Sequence, residues 1–440
     1  MKLIFPRDRG TWYMVLKSLL YLLPAITLAW MVLYCSAPVP KEDDYDAILS
    51  YLNIPQNERL GHIVDFHNEH RILTARLVFE IIVRTMGHFD FTVCMAIGAV
   101  FLFGYGLLFK RLFTFGGVGV RILGFAFFWL IVSFLNYDNV CWAMTSVSNV
   151  PVHFWALLSL FLARKRKRVV FFGLSLLCAV LATFSTGAGM SIWGALAVMS
   201  IHDRLRKYGG WKNFFLNLNQ VVRFERSSAI RLCVGSVVCL CSISVYFHGF
   251  HSVSPEHGFS IKHAVLTFTA LSGAIVPILS IALSVGIGTI LVVGWIIWRM
   301  HRIHNVTALA FLSYMLAGVL AAAIFRSYDP LAVLACRMRI VPISLLGTAI
   351  VLLTESLPFT ERNIRRAAVA VFVGTLAYLT AFTAVAYRSL MEQKDRLLNG
   401  IMAWPHDISG LSLGACNNVR FDAILRKSVD SGVYYPPESK

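Results

Sequence analysis

The chain has 440 residues, 57% of them apolar and only 14% charged, with a mean hydropathy of +0.68. Soluble domains carry roughly 25% charged residues, so an ordinary soluble globule is excluded; nine cysteines set mostly inside apolar runs, with no C-x-x-C pair, exclude a secreted disulfide scaffold. The net charge of +17 belongs to loops: Arg164, Lys165, Arg166, Lys167 and Arg168 trail one apolar run, and Arg204, Arg206, Lys207, Lys212, Arg223, Arg226 and Arg231 fill one polar stretch. This is the pattern of cytoplasmic loops facing anionic lipid, and no nucleic-acid partner is expected from it.

In chain order, the short basic stretch Met1 to Arg9 precedes the apolar run Trp12 to Tyr34. That run exceeds the 7–15 residues of a signal-peptide core and reads as an uncleaved first span. Further spans are predicted at 91–109, 121–135, 151–163, 169–185, 190–201, 232–248, 276–298, 306–324, 340–356 and 367–386. Several approach the roughly 20 residues that carry a helix across a 30 Å hydrocarbon layer. The fold expected is therefore all-α and polytopic, with about eleven transmembrane spans forming one unit over 1–386. Lys and Arg concentrate in alternate loops, which places the N-terminus in the cytoplasm and the tail 387–440 outside.

Two stretches resist a simple span. In the first outer loop, 36–90, the segment Phe66 to Arg84 carries Ile72, Leu73, Leu77, Ile81 and Ile82 near helical spacing, predicting an amphipathic helix along the interface. Residues 263–275 are apolar but directly precede another span, and read as re-entrant or surface-lying. Ser185-Thr186-Gly187-Ala188-Gly189 lacks the lysine of a phosphate-binding loop and reads as a tight turn whose small residues let helices approach.

Four polar groups fall on the outer side with no role in topology. Glu42-Asp43-Asp44-Tyr45-Asp46 follows the first span, either as a solvated loop or as the source of a general base or metal site at the bilayer boundary. His67-Asn68-Glu69-His70-Arg71, read as helix, puts His67 on one face with His70 and Arg71. It lacks the H-E-x-x-H spacing of a zinc site, leaving loop packing or recognition of phosphate and sugar hydroxyls. Tyr137-Asp138-Asn139-Val140-Cys141-Trp142 suits an interfacial belt or a sugar platform. Arg326, Arg337 and Arg339 break the positive-inside pattern. They point to a bidentate phosphate ligand or to pairing with Asp43, Asp44 or Asp329.

The ordered set Asp43-Asp44-Tyr45, His67 to Ile72, Asn136 to Trp142, Ala182-Thr183-Phe184-Ser185 with Gly189, and Arg326 followed by Cys336-Arg337-Met338 resembles the GT-C class of polytopic glycosyltransferases. Within it, the likeness is to the phage- and bacteria-encoded O-antigen glucosyltransferases that convert serotype. It covers roughly residues 1–345. It departs from the usual pattern at Asp138-Asn139, where Glu-Asn is expected, and at Cys-Arg-Met, where Ser-Arg-Tyr is common. The resemblance implies transfer of a sugar, glucose above all, from a polyprenyl-phosphate donor to an O-antigen or other lipid-linked glycan acceptor. The setting implied is the periplasmic face of a bacterial inner membrane.

Asp44 or Asp43 would be the catalytic base. Arg337, Arg326, Arg339 and Arg71 would hold the donor phosphate. Glu69, His70, His67, Asn68, Asp138, Asn139 and Trp142 would touch sugar or acceptor or orient the loop. No metal or other cofactor is required. Two other classes suit a polytopic chain. An O-antigen polymerase concentrates its key arginines in later outer loops, whereas here acid gathers in the first. A transporter or lipid-linked-sugar flippase predicts charge at mid-membrane depth and internal repeats. Apart from Lys17 near the start of the first span, which can snorkel, the interiors of the predicted spans lack charge.

Overall fold

A computed structural model describes residues 9–165, 168–207, 226–250, 260–299, 303–325, 334–413 and 418–437. Arg326 and most of the basic stretch before Arg226 lie outside the described residues. The described chain is almost entirely helical; its only sheet is one hairpin of two-residue strands.

The principal helices are α1 (Arg9–Trp30), α2 (Leu73–Met86), α3 (Phe91–Arg111), α4 (Val118–Ile131), α5 (Ala143–Arg164), α6 (Val169–Thr183) and α7 (Ser191–Lys207). They continue with α8 (Arg226–Phe247), α9 (Ile261–Gly273), α10 (Leu279–Trp298), α11 (Val306–Phe325), α12 (Ile340–Ser356), α13 (Glu361–Ala403) and α14 (Asn418–Asp430). Each of the eleven predicted spans overlaps one of them. Among the described residues seven helices are long and apolar enough to cross a membrane. Helices α4, α6 and α12 are apolar but shorter.

Helix α5 is the centre of the bundle, with 67% of its most apolar window buried. Its inward residues are small, among them Ala143, Thr145, Ser146, Ser148 and Ser159, which lets neighbouring backbones come close where lipid offers no hydrophobic drive. Ser159 and Ser175 tie α5 to α6 reciprocally, each hydroxyl donating to the other's carbonyl at 2.8 and 3.0 Å. The outer helices turn apolar side chains such as Leu22, Leu240, Leu291 and Val385 to the exterior, as lipid contact requires.

Helix α9 has 13 residues, about 20 Å at 1.5 Å per residue, less than a hydrocarbon layer. It forms a hairpin with α10, so close that a Cβ on Gly273 would strike the Ala282 carbonyl and one on Gly286 the Thr269 carbonyl. The turn at 185–189 is as predicted: a Cβ on Gly189 would collide with the Ala182 carbonyl.

One prediction is corrected. Residues 66–71 are not helical. Phe66–His67 and His70–Arg71 form an antiparallel hairpin in which His67 faces His70 as a cross-strand pair, and the helix begins only at Leu73. Asn68 opens the turn with φ 52°, a left-handed value that asparagine tolerates and a helix does not. The helix that carries the last predicted span, 367–386, continues past 386. Helix α13 runs unbroken through 43 residues, about 65 Å, twice the hydrocarbon thickness.

The tail beyond α13 folds back onto the first loop. Tyr45 stacks on Phe421 with ring centroids 4.3 Å apart. Arg420 pairs with Asp46 at 2.6 Å, Leu413 N–H donates to Glu42 Oε1 at 2.8 Å, and Phe89 N–H donates to the Val433 carbonyl at 2.7 Å. Loop 36–90 and the tail therefore share one end of the bundle.

Candidate functional site

The acidic run after α1 is divided among different tasks. Glu42 and Asp46 are held by the tail, as above. Asp44 is 1% exposed. Its Oδ1 accepts from Met144 N–H at 2.8 Å and its Oδ2 from Lys41 N–H at 3.0 Å. Met144 lies in the first turn of α5, whose own N-cap, Trp142, supplies no side-chain acceptor. Asp44 thus caps α5 from another part of the chain, its charge opposite the helix's positive end.

Asp43 differs. It is half-buried, and its carboxylate makes no hydrogen bond or ion pair among the described residues; its electrostatic neighbours include Asp44 and His67. Glu42 just before it takes φ 47°, a left-handed conformation costing a non-glycine residue about 1–3 kcal/mol. The Glu42 contact to Leu413 holds that turn, and the turn sets the direction of Asp43.

Burial pushes the Asp44 carboxyl up to about 7 against the two N–H donors and Lys41, which favour its charge, with Asp43 adding a smaller upward push. A carboxyl raised in the folded state binds its proton more tightly there than in the unfolded chain. Its contribution to stability is complete below about pH 4 and is lost as pH rises through about 7. The thermal midpoint in detergent is expected to fall between pH 5 and pH 8. In Asp44→Asn this slope should flatten; an unchanged slope would assign it to other groups.

Lys41, 5% exposed, is the hub that the sequence did not announce. Its Nζ reaches Asp138 Oδ1 and Gln393 Oε1, both at 3.2 Å, and lies 4.5 Å from the centre of the Trp142 ring. Gln393 is carried there by the C-terminal half of α13. Arg337 stands 5.2 Å from the same ring, and its carbonyl accepts from Asn139 Nδ2 at 2.9 Å. The acidic run, the Asp138–Trp142 segment and the Arg337–Arg339 segment therefore meet at one end of the bundle, over α5.

The donors here outnumber their acceptors. Arg339 is 2% exposed, yet its Nε and Nη1 have no hydrogen-bond partner among the described residues; its guanidinium rests 4.6 Å from the Phe382 ring centre. Trp142 Nε1, also buried, has none either. Such groups ordinarily find partners, and leaving one unpaired costs about 1–3 kcal/mol.

Replacing Lys41 by Met should cost about 2 kcal/mol, because Asp138, at 17% side-chain exposure, keeps a largely buried charge without its partner. The double variant Lys41→Met/Asp138→Asn should recover part of that loss in a thermal melt. Additive losses would show that the pair is not coupled.

The remaining expected site residues gather separately. Arg71 is held by backbone: its Nε donates to the Tyr246 carbonyl at 2.9 Å, its other nitrogens to the carbonyls of Val64 and His248, and it lies 4.1 Å from the Phe66 ring centre. It pins the hairpin to the end of α8. His70 sits against the 185–189 turn, where a Cβ on Gly187 would come within 3.3 Å of its Nδ1. Glu69 offers its carbonyl to the Tyr246 hydroxyl at 3.4 Å. Asn68 reaches His67 Nε2 at 3.4 Å. Burial, first of all, holds the His67 imidazole below its ordinary range, while Asp43 and Asp46 oppose that shift. His67 thus sits nearer in charge terms to the acidic run than to Arg71.

Comparison of the chain with protein-family models, with curated proteins and with solved structures finds no match.

Proposed function

We propose that the chain transfers a sugar, glucose in the first instance, from a polyprenyl-phosphate donor to a lipid-linked glycan such as an O-antigen, at the periplasmic face of a bacterial inner membrane. All eleven apolar segments cross in this reading, α9 is re-entrant, and the fold is of the GT-C kind. The carrying observation is a buried pair of donors, Arg339 and Trp142, without hydrogen-bond acceptors among the described residues, with Arg337 on the indole, at the same end of the bundle as a half-buried Asp43 carboxylate that has no hydrogen bond or ion pair among the described residues. A phosphate supplies the acceptors those donors lack.

Asp43, rather than the buried Asp44, takes the proton from the acceptor hydroxyl. The hydroxyl oxygen attacks the anomeric carbon, the bond from that carbon to the phosphate oxygen breaks with inversion, and polyprenyl phosphate departs. Fixed guanidinium groups stabilise the charge that grows on the leaving phosphate. Arg337 and Arg339 fill this role, joined by Arg326 from outside the described residues. Asp138, Asn139 and Trp142 form the wall against which Lys41 and Arg337 are set. The hairpin 66–71 and its Glu69 and His70 shape the flank of the acceptor path.

The test uses purified protein, polyprenyl-phosphate-glucose and a lipid-linked polysaccharide, with formation of glucosylated product as readout. Failure of transfer together with translocation of the lipid-linked sugar across vesicles would establish the flippase reading instead. Extension of the polysaccharide by whole repeat units would establish a polymerase.

A further inference from the structure

The opposite end of the bundle carries a second cluster. Helices α3 and α5 both begin beside the candidate site and end about 30 Å away, 21 and 22 residues later. Each finishes in an arginine that lies over an aromatic ring supplied by its partner. Arg111, at the end of α3, is 5.7 Å from the Phe161 ring centre on α5, and Arg164, at the end of α5, is 4.6 Å from the Phe115 ring centre just past α3. Both arginines are exposed, and neither guanidinium has an ion pair or hydrogen bond among the described residues.

The carboxylates Glu355 and Glu361 near this end are committed to backbone: Glu361 accepts from Gly119 N–H at 2.9 Å, and Glu355 from His304 and Asn305 N–H at 3.1 and 3.0 Å. The positive charge is therefore left for an outside anion. The surface around it is not that of a soluble-anion site. Phe115 is 54% exposed, and Val169 and Val170, which open α6 five and six residues after Arg164, are 81% and 70% exposed. Apolar surface of this kind is solvated by acyl chains.

We propose that Arg111 and Arg164 form a binding site for one anionic phospholipid, its phosphate between the two guanidinium groups and its chains along Phe115 and the start of α6. Attraction to the ring face restrains each guanidinium near its helix end, and the planar fork of arginine matches phosphate oxygens. Basic pockets between helix ends select anionic over zwitterionic lipid by roughly one charge's interaction per arginine.

The experiment is native mass spectrometry of the full chain in detergent, titrated separately with phosphatidylglycerol, with phosphatidylcholine of the same chains, and with glycerol 3-phosphate. Retention of one phosphatidylglycerol is expected, with little retention of the other two. Arg111→Gln and Arg164→Gln should each weaken it about fivefold, and the double variant about thirtyfold, with Arg388→Gln, an exposed arginine elsewhere, unchanged. Equal retention of phosphatidylcholine, equal binding of glycerol 3-phosphate, or full affinity in either single variant would overturn the proposal. The lipid comparison on the unaltered protein decides even where the double variant does not fold.

Discussion

Arg339→Met is expected to make the protein more stable and inactive at once. The guanidinium is almost wholly buried and two of its nitrogens lack hydrogen-bond partners among the described residues, so it bears an uncompensated desolvation cost of about 1–3 kcal/mol. Methionine keeps much of the stem's volume and its contact with Phe382. Removal of the charge should therefore raise the thermal midpoint in detergent by a few degrees. Under the proposed reaction the same charge meets the departing phosphate, and its loss should lower turnover about 10²–10³-fold, the scale for one fixed donor at developing charge. Strain retained for a ligand produces this opposition of stability and function. A residue serving only the fold would behave in the reverse way: Arg339→Met would melt earlier and turn over normally. A melt with added polyprenyl phosphate adds an independent reading, since the ligand should stabilise the parent protein and leave the variant unmoved.

The legibility of this protein in its sequence follows physical lines. Apolar runs locate the helices because backbone groups in hydrocarbon have no partner but each other, and every predicted span overlaps a helix for that reason. Alternation of loops puts the acidic run, the Asp138–Trp142 segment and Arg337 on one side, and Lys41, bonded to Asp138 and beside the Trp142 ring that Arg337 also faces, joins these segments at one end of the bundle. Local conformation was harder. Spacing alone made His67, His70 and Arg71 one helical face, whereas Asn68-Glu69 between two short alternating pairs is a turn signal, and the left-handed φ at Asn68 decides the matter.

The part Lys41 plays depends on Asp138 and Gln393, distant by 97 and 352 positions, which no periodicity encodes. The tail did carry a sign. Phe421, Leu425 and Ser428 are the buried residues of α14, at offsets of four and seven, an amphipathic stripe that requires a partner and finds it in Tyr45 and Asn53. Arg71 is equally illegible: guanidinium chemistry suits a phosphate, and the sequence does not announce the three carbonyls, of Val64, Tyr246 and His248, that each accept from one of its nitrogens.

The two neighbouring acids should separate completely under substitution. Asp43→Asn is expected to fold as the parent does, since its carboxylate supports no described hydrogen bond, and to lose transfer about 10²–10⁴-fold, the range for a positioned general base. The loss should fall on kcat with KM little changed. Asp44→Asn should act elsewhere. Its remaining oxygen can still accept from Met144 N–H, so helix α5 keeps a cap and turnover persists, while the fall in stability from pH 5 to pH 8 flattens. Asp44→Ala leaves both Met144 and Lys41 N–H groups buried and unpaired and should cost about 2–4 kcal/mol. Because the Lys41 backbone is then released, Lys41 Nζ, Asp138 and the face of Trp142 should shift together. Activity in that variant should decline through poorer substrate binding, read as a raised KM. Near-parental turnover in Asp43→Asn, with none in a well-folded Asp44→Asn, would reverse the assignment and require the α5 cap to open during catalysis.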